Sequence, residues 1–274
     1  MAEAEARGFD VEGTYSSDPV AGLVKLDLSD ALAVRSLIAS SKPDIVLLAG
    51  AMTSVDGCER SPEMARKTNS VGPKLVAESC KAVDAKLVYY STDYVFDGSS
   101  GPSDEEGMPN PLNVYGRMKL EGERNVLAGD PEALVIRTCA NFGWNRLRSK
   151  ENSVTWMINK LRCNEKLHLF SDQWVSPSYT PDVAGITFDF LDRNAGGVFH
   201  VATGGCLTRL DMGREVCRVF DLPENLLEAA RLADAKFLAP RPAKSCLAVG
   251  KVERFLNIRM STFRSCLERM RGKT

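Results

Sequence analysis

Three short apolar runs separated by helix-length segments limit what this chain can become. They are Asp44-Ile45-Val46-Leu47-Leu48-Ala49, Lys86-Leu87-Val88-Tyr89-Tyr90-Ser91 and Ala133-Leu134-Val135-Ile136-Arg137. Runs that are apolar at almost every position suit strands covered on both faces, and strands alternating with helices pair in parallel. The intervening segments read as helices. One spans residues 31–41, capped by Ser29 or Asp30 and stopped by Pro43. A long amphipathic one opens at Ser61-Pro62 and runs to about Val83, and a third covers about 114–128. Residues 9–14 and 23–28 fit two further strands. The expected fold class is α/β, a doubly wound parallel sheet.

Beyond Arg137 the regularity weakens. Residues 149–161 read as a helix, 167–170 as a short strand and 172–181 as an irregular loop entering a helix capped near Thr180. A strand at 197–203 and helices at about 208–220 and 223–230 follow, then an extended segment from Arg241-Pro242 and two short helices. This predicts residues 1–145 plus about 180–203 as a dinucleotide-binding-type domain, with about 146–179 and 204–274 as a smaller C-terminal substrate lobe.

Net charge excludes some partners. With 35 basic and 36 acidic residues spread along the chain, no footprint for nucleic acid or an anionic membrane stands out. No apolar run approaches the roughly 20 residues that cross a bilayer, and the acidic, helix-forming start Met1-Ala2-Glu3-Ala4-Glu5-Ala6-Arg7 is no signal peptide. A cytoplasmic location is expected. The eight cysteines are scattered without a C-x-x-C pair and read as reduced core thiols. His168 and His200 sit inside strand-like runs, so neither a histidine metal site nor a Ser-His-Asp triad is expected.

The chemistry concentrates between residues 91 and 119. Tyr115 and Lys119 are spaced i,i+4 and share a helix face. A free phenol, with a pKa of about 10, is a poor acid near neutrality, and an adjacent ammonium is expected to lower that value. Thr92, at the C-terminal end of its strand, offers a hydroxyl to the same substrate oxygen, in the place where open α/β sheets keep their sites. Tyr-x-x-x-Lys alone also describes many solvated helix faces. What distinguishes it here is a strand ending Tyr-Tyr-Ser-Thr-Asp, a loop of about twenty residues rich in Gly, Pro and acid, and then Tyr-Gly-x-x-Lys.

That combination resembles the extended short-chain dehydrogenase/reductase family, within it the dTDP-4-dehydrorhamnose reductase branch, which also contains the non-catalytic regulatory beta subunit of methionine adenosyltransferase. The likeness rests on residues 91–98 (STDYVFDG), 111–119 (PLNVYGRMK), 120–123 (LEGE), Arg137-Thr138, Asp172-Gln173 with Ser176-Pro177, and Arg241-Pro242, and so covers nearly the whole chain. It implies a Rossmann-like fold and NAD(P)H-dependent reduction of a 4-keto-6-deoxy sugar nucleotide, with Thr92, Tyr115 and Lys119 catalytic and Tyr115 the proton donor. Tyr115 and Lys119 would also contact the cofactor. Asp27 and Leu28 would lie beside the adenine, and Ala49, Ala51, Met52 and Thr53 along the dinucleotide. Asp93 would contact sugar or support its loop. Asn69 would sit behind the site, or simply bond a neighbouring backbone group. Arg241 would take a nucleotide phosphate, or be a surface arginine before Pro242. The resemblance also implies a homodimer. Its other branch implies binding to a methionine adenosyltransferase catalytic subunit without chemistry.

Three departures from the family pattern matter. No strand followed by Gly-x-x-Gly-x-x-Gly precedes residue 9, so the central strand and the phosphate-binding turn are missing. Either the chain begins at an internal Met, with roughly 15–25 residues of a βα unit lost, or it no longer binds dinucleotide; a gap in the sheet is expected. Second, the segment Thr14-Tyr15-Ser16-Ser17 lacks an acid for the ribose 2′-hydroxyl, which admits NADP as well as NAD. Third, the tryptophan that covers the sugar nucleotide in this branch is displaced to Trp144, which takes over that role or is core.

Overall fold

The computed structural model describes residues 1–145 and 151–273. Helix α1 (Ala2–Ala6) precedes strands β1 (Thr14–Tyr15) and β2 (Val24–Lys25), which pair in parallel as a separate two-stranded sheet. Helix α2 (Ala31–Ser41) starts where the Asp30 carboxylate accepts the N–H groups of Leu32 and Ala33. Strand β3 (Ile45–Leu48) leads into α3 (Val55–Arg60) and α4 (Pro62–Arg66). A π-helical turn (Lys67–Val71) joins α4 to α5 (Gly72–Ala82), so the expected long helix is a rod with one widened turn. Strand β4 (Lys86–Thr92), helix α6 (Val114–Gly129) and strand β5 (Leu134–Thr138) follow.

The remaining elements are α7 (Ser153–Arg162), β6 (Leu167–Phe170), β7 (Trp174–Val175), α8 (Thr180–Asp192), β8 (Gly197–His200), β9 (Leu207–Thr208), α9 (Arg209–Phe220), β10 (Leu227–Ala230), α10 (Gly250–Leu256) and α11 (Phe263–Arg271). The main sheet runs β3-β4-β5-β8, all parallel, with Leu48 opposite Tyr89, Val88 opposite Leu134 and Ile136 opposite Phe199. Alternation along β4 sends Leu87 and Tyr89 to one face, against Val34 and Ile38 of α2 and Val76 and Cys80 of α5. Val88 goes to the other face, with Ile186 and Phe190 of α8 and Val252 of α10. Helices on both faces of a parallel sheet make this the doubly wound α/β architecture that the sequence predicts. A separate core, built from Met157, Ile158, Leu169, Met212, Val216, Phe263 and Leu267, holds α7, α9 and α11 together with β6.

The sheet is interrupted where the sequence predicts a gap. Strand β3 is bonded to β4 alone, and among the described residues no strand joins it to the β1/β2 pair. Segment 9–14 is strand only at its last residue; Phe9 instead packs on Phe188 of α8, with ring centroids 5.2 Å apart. Segment 223–230, expected as a helix, is a 3-10 turn followed by β10, which pairs with β6 in parallel from Leu227 opposite Leu167 to Ala230 opposite Phe170. The helix expected over 149–161 begins at Ser153, behind the Asn152 capping box, and the expected start at Ser149 lies outside the described residues.

The uniform reading of the cysteines as thiols also needs correction. Cys206 and Cys246 form a disulfide across a sequence separation of 40. Cys246 is 1% exposed and lies on the extended segment that follows Arg241. Closing a loop of this length typically stabilises a fold by about 2–4 kcal/mol. Dithiothreitol is therefore expected to lower the melting temperature of the purified protein and to leave Cys206→Ser unaffected. Identical melting curves with and without reductant would show that the bond does not form in solution.

Candidate active site

Strand β4 ends at Thr92 and turns at once into a 3-10 turn, Asp93–Val95. The Thr92 hydroxyl accepts the Tyr94 N–H at 3.2 Å and donates to Asp93 Oδ1 at 3.1 Å. The Cys139 thiol donates to the other Asp93 oxygen at 3.2 Å. Asp93 is 3% exposed, and burial raises its carboxyl pKa against the pull of these donors and of the Arg209 charge. These contacts are those of a loop support rather than of a group facing a sugar.

Helix α6 brings the other half. Asn113 caps it, accepting the Gly116 N–H at 2.9 Å and donating to the Pro240 carbonyl at 2.8 Å. Glu59 of α3 accepts the Val114 N–H at 3.0 Å. Gly116 is needed because a Cβ there would stand 2.2 Å from the Tyr94 carbonyl oxygen. With that close approach, the first turn of α6 lies against the 3-10 turn, and the Tyr115 and Tyr94 rings meet edge to face at 5.7 Å. Packing around the half-buried Tyr115 pushes its phenol well above the ordinary value, while the Thr92 hydroxyl acts in the opposite sense. A phenol in this state keeps its proton at neutral pH.

Lys119 does not do what its spacing predicts. Its ammonium donates to the Tyr90 carbonyl at 2.6 Å and stands 4.1 Å from the Tyr89 ring centroid, rather than holding Tyr115 as a phenolate. It is 3% exposed, and burial lowers its pKa to about 7, with the Glu123 charge opposing. The sign of the resulting pH dependence is fixed. Between about 7 and the unfolded value of about 10.4, the unfolded chain binds one proton more than the native one, so this residue's contribution to stability rises with pH. The stability advantage of Lys119→Met over the parent is therefore expected to shrink between about pH 6 and about pH 9, read from urea midpoints. A constant difference would mean that Lys119 titrates normally.

The loop after β3 holds the other expected contacts. Ala49 and Thr53 are exposed, and Ala51 and Met52 are partly so. Asn69, in the π turn and 1% exposed, grips Met52 on both sides: its Oδ1 accepts the Met52 N–H at 2.8 Å and its Nδ2 donates to the Met52 carbonyl at 2.9 Å. It thus bonds backbone, and the backbone it bonds is the loop in question. Leu28 is buried beneath the same loop, since a Cβ on Gly50 would meet its Cδ1 at 3.1 Å. Asp27 is exposed and accepts the Ser29 N–H and hydroxyl, each at 2.8 Å, which lowers its pKa.

Two expected substrate residues are occupied elsewhere. The Trp144 indole N–H donates to the Met270 carbonyl at 2.8 Å, and its ring packs on the second core, so it fastens the chain to α11. Arg241 pairs with Asp56 of α3 at 2.9 Å, donates to the Ala239 carbonyl at 3.0 Å and stacks over Phe237. Asp56 is one residue the sequence reading missed; Glu59, Asn113 and Arg209 are others. Asn113 carries a legible signal, a cap residue just before a helix, whereas the rest depend on contacts across long stretches of chain.

A doubly wound sheet with Thr92, Tyr115 and Lys119 gathered at the end of β4 and the start of α6 defines a chain of the extended short-chain dehydrogenase/reductase class. Residues 1–273 match the RmlD substrate binding domain, and the chain belongs to that family. It is 35% identical over 255 residues to a probable low-salt glycan biosynthesis reductase of Haloferax volcanii, covering 90% of this chain and 84% of that protein. It is 34% identical over 237 residues to the methionine adenosyltransferase 2 subunit beta of Xenopus tropicalis, covering 84% and 70% respectively. Among solved structures, the dTDP-4-dehydrorhamnose reductase of Bacillus anthracis in complex with NADP superimposes with a TM-score of 0.85 at 27% identity, covering 91% of this chain and 87% of that one. Among the described residues, no helix is long and apolar enough to cross a membrane.

Proposed function

We propose that this chain reduces a 4-keto-6-deoxy sugar nucleotide at the expense of NADPH or NADH, in the manner of a dTDP-4-dehydrorhamnose reductase. The observation that carries the reading is the Tyr115 phenol set beside the Thr92 hydroxyl, where the first turn of α6 closes on the end of β4. A bound nicotinamide would supply the hydride. Thr92 hydrogen-bonds the keto oxygen, and Tyr115 passes its proton to that oxygen as charge develops there. Lys119 has three N–H donors and spends one on Tyr90, leaving donors for a ribose hydroxyl.

The residues present fit one end of the cofactor. Lys119, Tyr115 and the exposed loop at Ala49 to Thr53 suit the nicotinamide and its ribose, and Asp27 with Leu28 adjoins that loop. The pyrophosphate end is different, because no strand in these residues is followed by a glycine-rich turn. On this reading, residues 1–145 and about 180–203 hold the dinucleotide and the rest of the chain holds the sugar nucleotide. The reading includes a cytoplasmic location and a homodimer, the latter testable by sedimentation.

The test is to incubate the protein with dTDP-4-dehydrorhamnose and NADPH or NADH, following loss of the reduced nicotinamide absorbance. Stoichiometric oxidation with formation of the 4-hydroxy sugar supports the reading; no turnover with either cofactor overturns it. The likeness to a methionine adenosyltransferase 2 subunit beta favours one alternative, a regulatory subunit that binds a methionine adenosyltransferase catalytic subunit and turns nothing over. Calorimetric binding to that subunit, with no reductase activity, would select it.

A further inference from the structure

We infer that Arg209, the first residue of α9, is the group that binds the diphosphate of the sugar nucleotide. This inference rests on the reductase reading for its substrate class. Arg209 is partly buried and, among the described residues, has no carboxylate within ion-pair distance, whereas Arg241 is spent on Asp56 and Ala239. Its Nε donates to Gln173 Oε1 at 3.3 Å, and one terminal nitrogen makes only a weak 3.8 Å contact with Met212 Sδ. Most of a planar fork of donors is left uncommitted.

A half-buried guanidinium with no carboxylate in ion-pair contact is costly to keep, and such a cost is ordinarily offset by an anion that binds there. The position fits. Gln173 is 5% exposed, takes Arg209 on its oxygen and donates from its nitrogen to the Pro242 carbonyl at 3.3 Å. Pro242 in turn packs so tightly on the loop after the 3-10 turn that a Cβ on Gly98 would stand 2.7 Å from it. Arg209 is therefore tied, through one buried side chain, to the loop that carries Thr92 and Asp93. Its field also reaches that loop, acting on the Asp93 carboxyl and the Tyr94 phenol. A diphosphate has charge and fork-matching oxygens; a neutral sugar has neither.

Titration calorimetry with thymidine diphosphate, uridine diphosphate and thymidine tests this directly, with no turnover required. Arg209→Gln is expected to weaken both diphosphates by roughly tenfold to a hundredfold, to leave thymidine binding unchanged and to keep the parent's melting temperature. Arg209→Lys should recover part of the loss, since it restores charge without the fork. Unchanged diphosphate affinity in Arg209→Gln, equal weakening of thymidine and its diphosphate, or no diphosphate binding by the parent would each overturn the assignment. The two readings fail separately. Selective loss of diphosphate binding in a chain that reduces no keto sugar leaves Arg209 in place and sinks the reductase. Reduction with an unaltered KM in Arg209→Gln sinks Arg209 alone.

Discussion

Tyr115→Phe is expected to lower the rate of keto-sugar reduction by about 10² to 10⁴-fold, the usual worth of a positioned general acid. It should do so without altering the melting temperature. The variant removes one oxygen from a ring whose packing against Tyr94 stays in place. Because burial holds the phenol above its ordinary value, the parent activity should also show no fall between about pH 6 and about pH 9 attributable to this group's ionisation. A phenol depressed by Lys119 would give such a fall. Full activity in Tyr115→Phe, measured with saturating cofactor, would remove Tyr115 from proton transfer altogether.

The second large effect concerns stability. Arg137 on β5 and Glu123 on α6 form a two-bond ion pair, at 2.7 and 3.0 Å, with side-chain exposures of 5% and 3%. Glu123→Ala leaves the guanidinium enclosed with the His200 ring at 3.4 Å, and burial holds that imidazole down at about 3, where it brings no charge. The expected loss is about 3–5 kcal/mol, read from the denaturant midpoint at constant m. The double change Glu123→Leu with Arg137→Met removes both charges and should recover most of it. If the double variant is as weak as the single one, the pair contributes through something other than mutual neutralisation. The same carboxylate favours the Lys119 ammonium, so Glu123→Ala should lower the Lys119 proton affinity further.

Much of the architecture was legible because local signals and tertiary packing agree. Strand β4, strand β5 and helix α2 are where apolar runs and the Asp30 cap place them. Segment 227–230 misleads because Leu-Glu-Ala-Ala favours helix locally, while pairing with β6, some sixty residues earlier, decides for strand. Helix α3 is short and contains Gly57, so it leaves little periodic trace. At the site, the i,i+4 spacing puts Tyr115 and Lys119 on one helix face and the strand end presents Thr92, but none of this gives the direction of the Lys119 ammonium, which depends on where the Tyr90 carbonyl lies. Arg241 and Asp56 are 185 residues apart, and Trp144 and Met270 are 126 apart. Contacts of that separation have no sequence period, and they decide which arginine is free.

The π turn at Lys67–Val71 gives the chain an unusual sensitivity to length. A widened turn contains one residue more than an α-helical turn would need. An in-frame loss of a single codon there would let the rod from Pro62 to Ala82 close into regular α-helix, which is locally the better structure. Because the residue lost is the one the turn holds in excess, that repair would leave Val76 and Cys80 facing the sheet but pull Asn69 off Met52. A deletion that improves the helix would thus spare the core contact and cost the molecule the side chain that holds its loop.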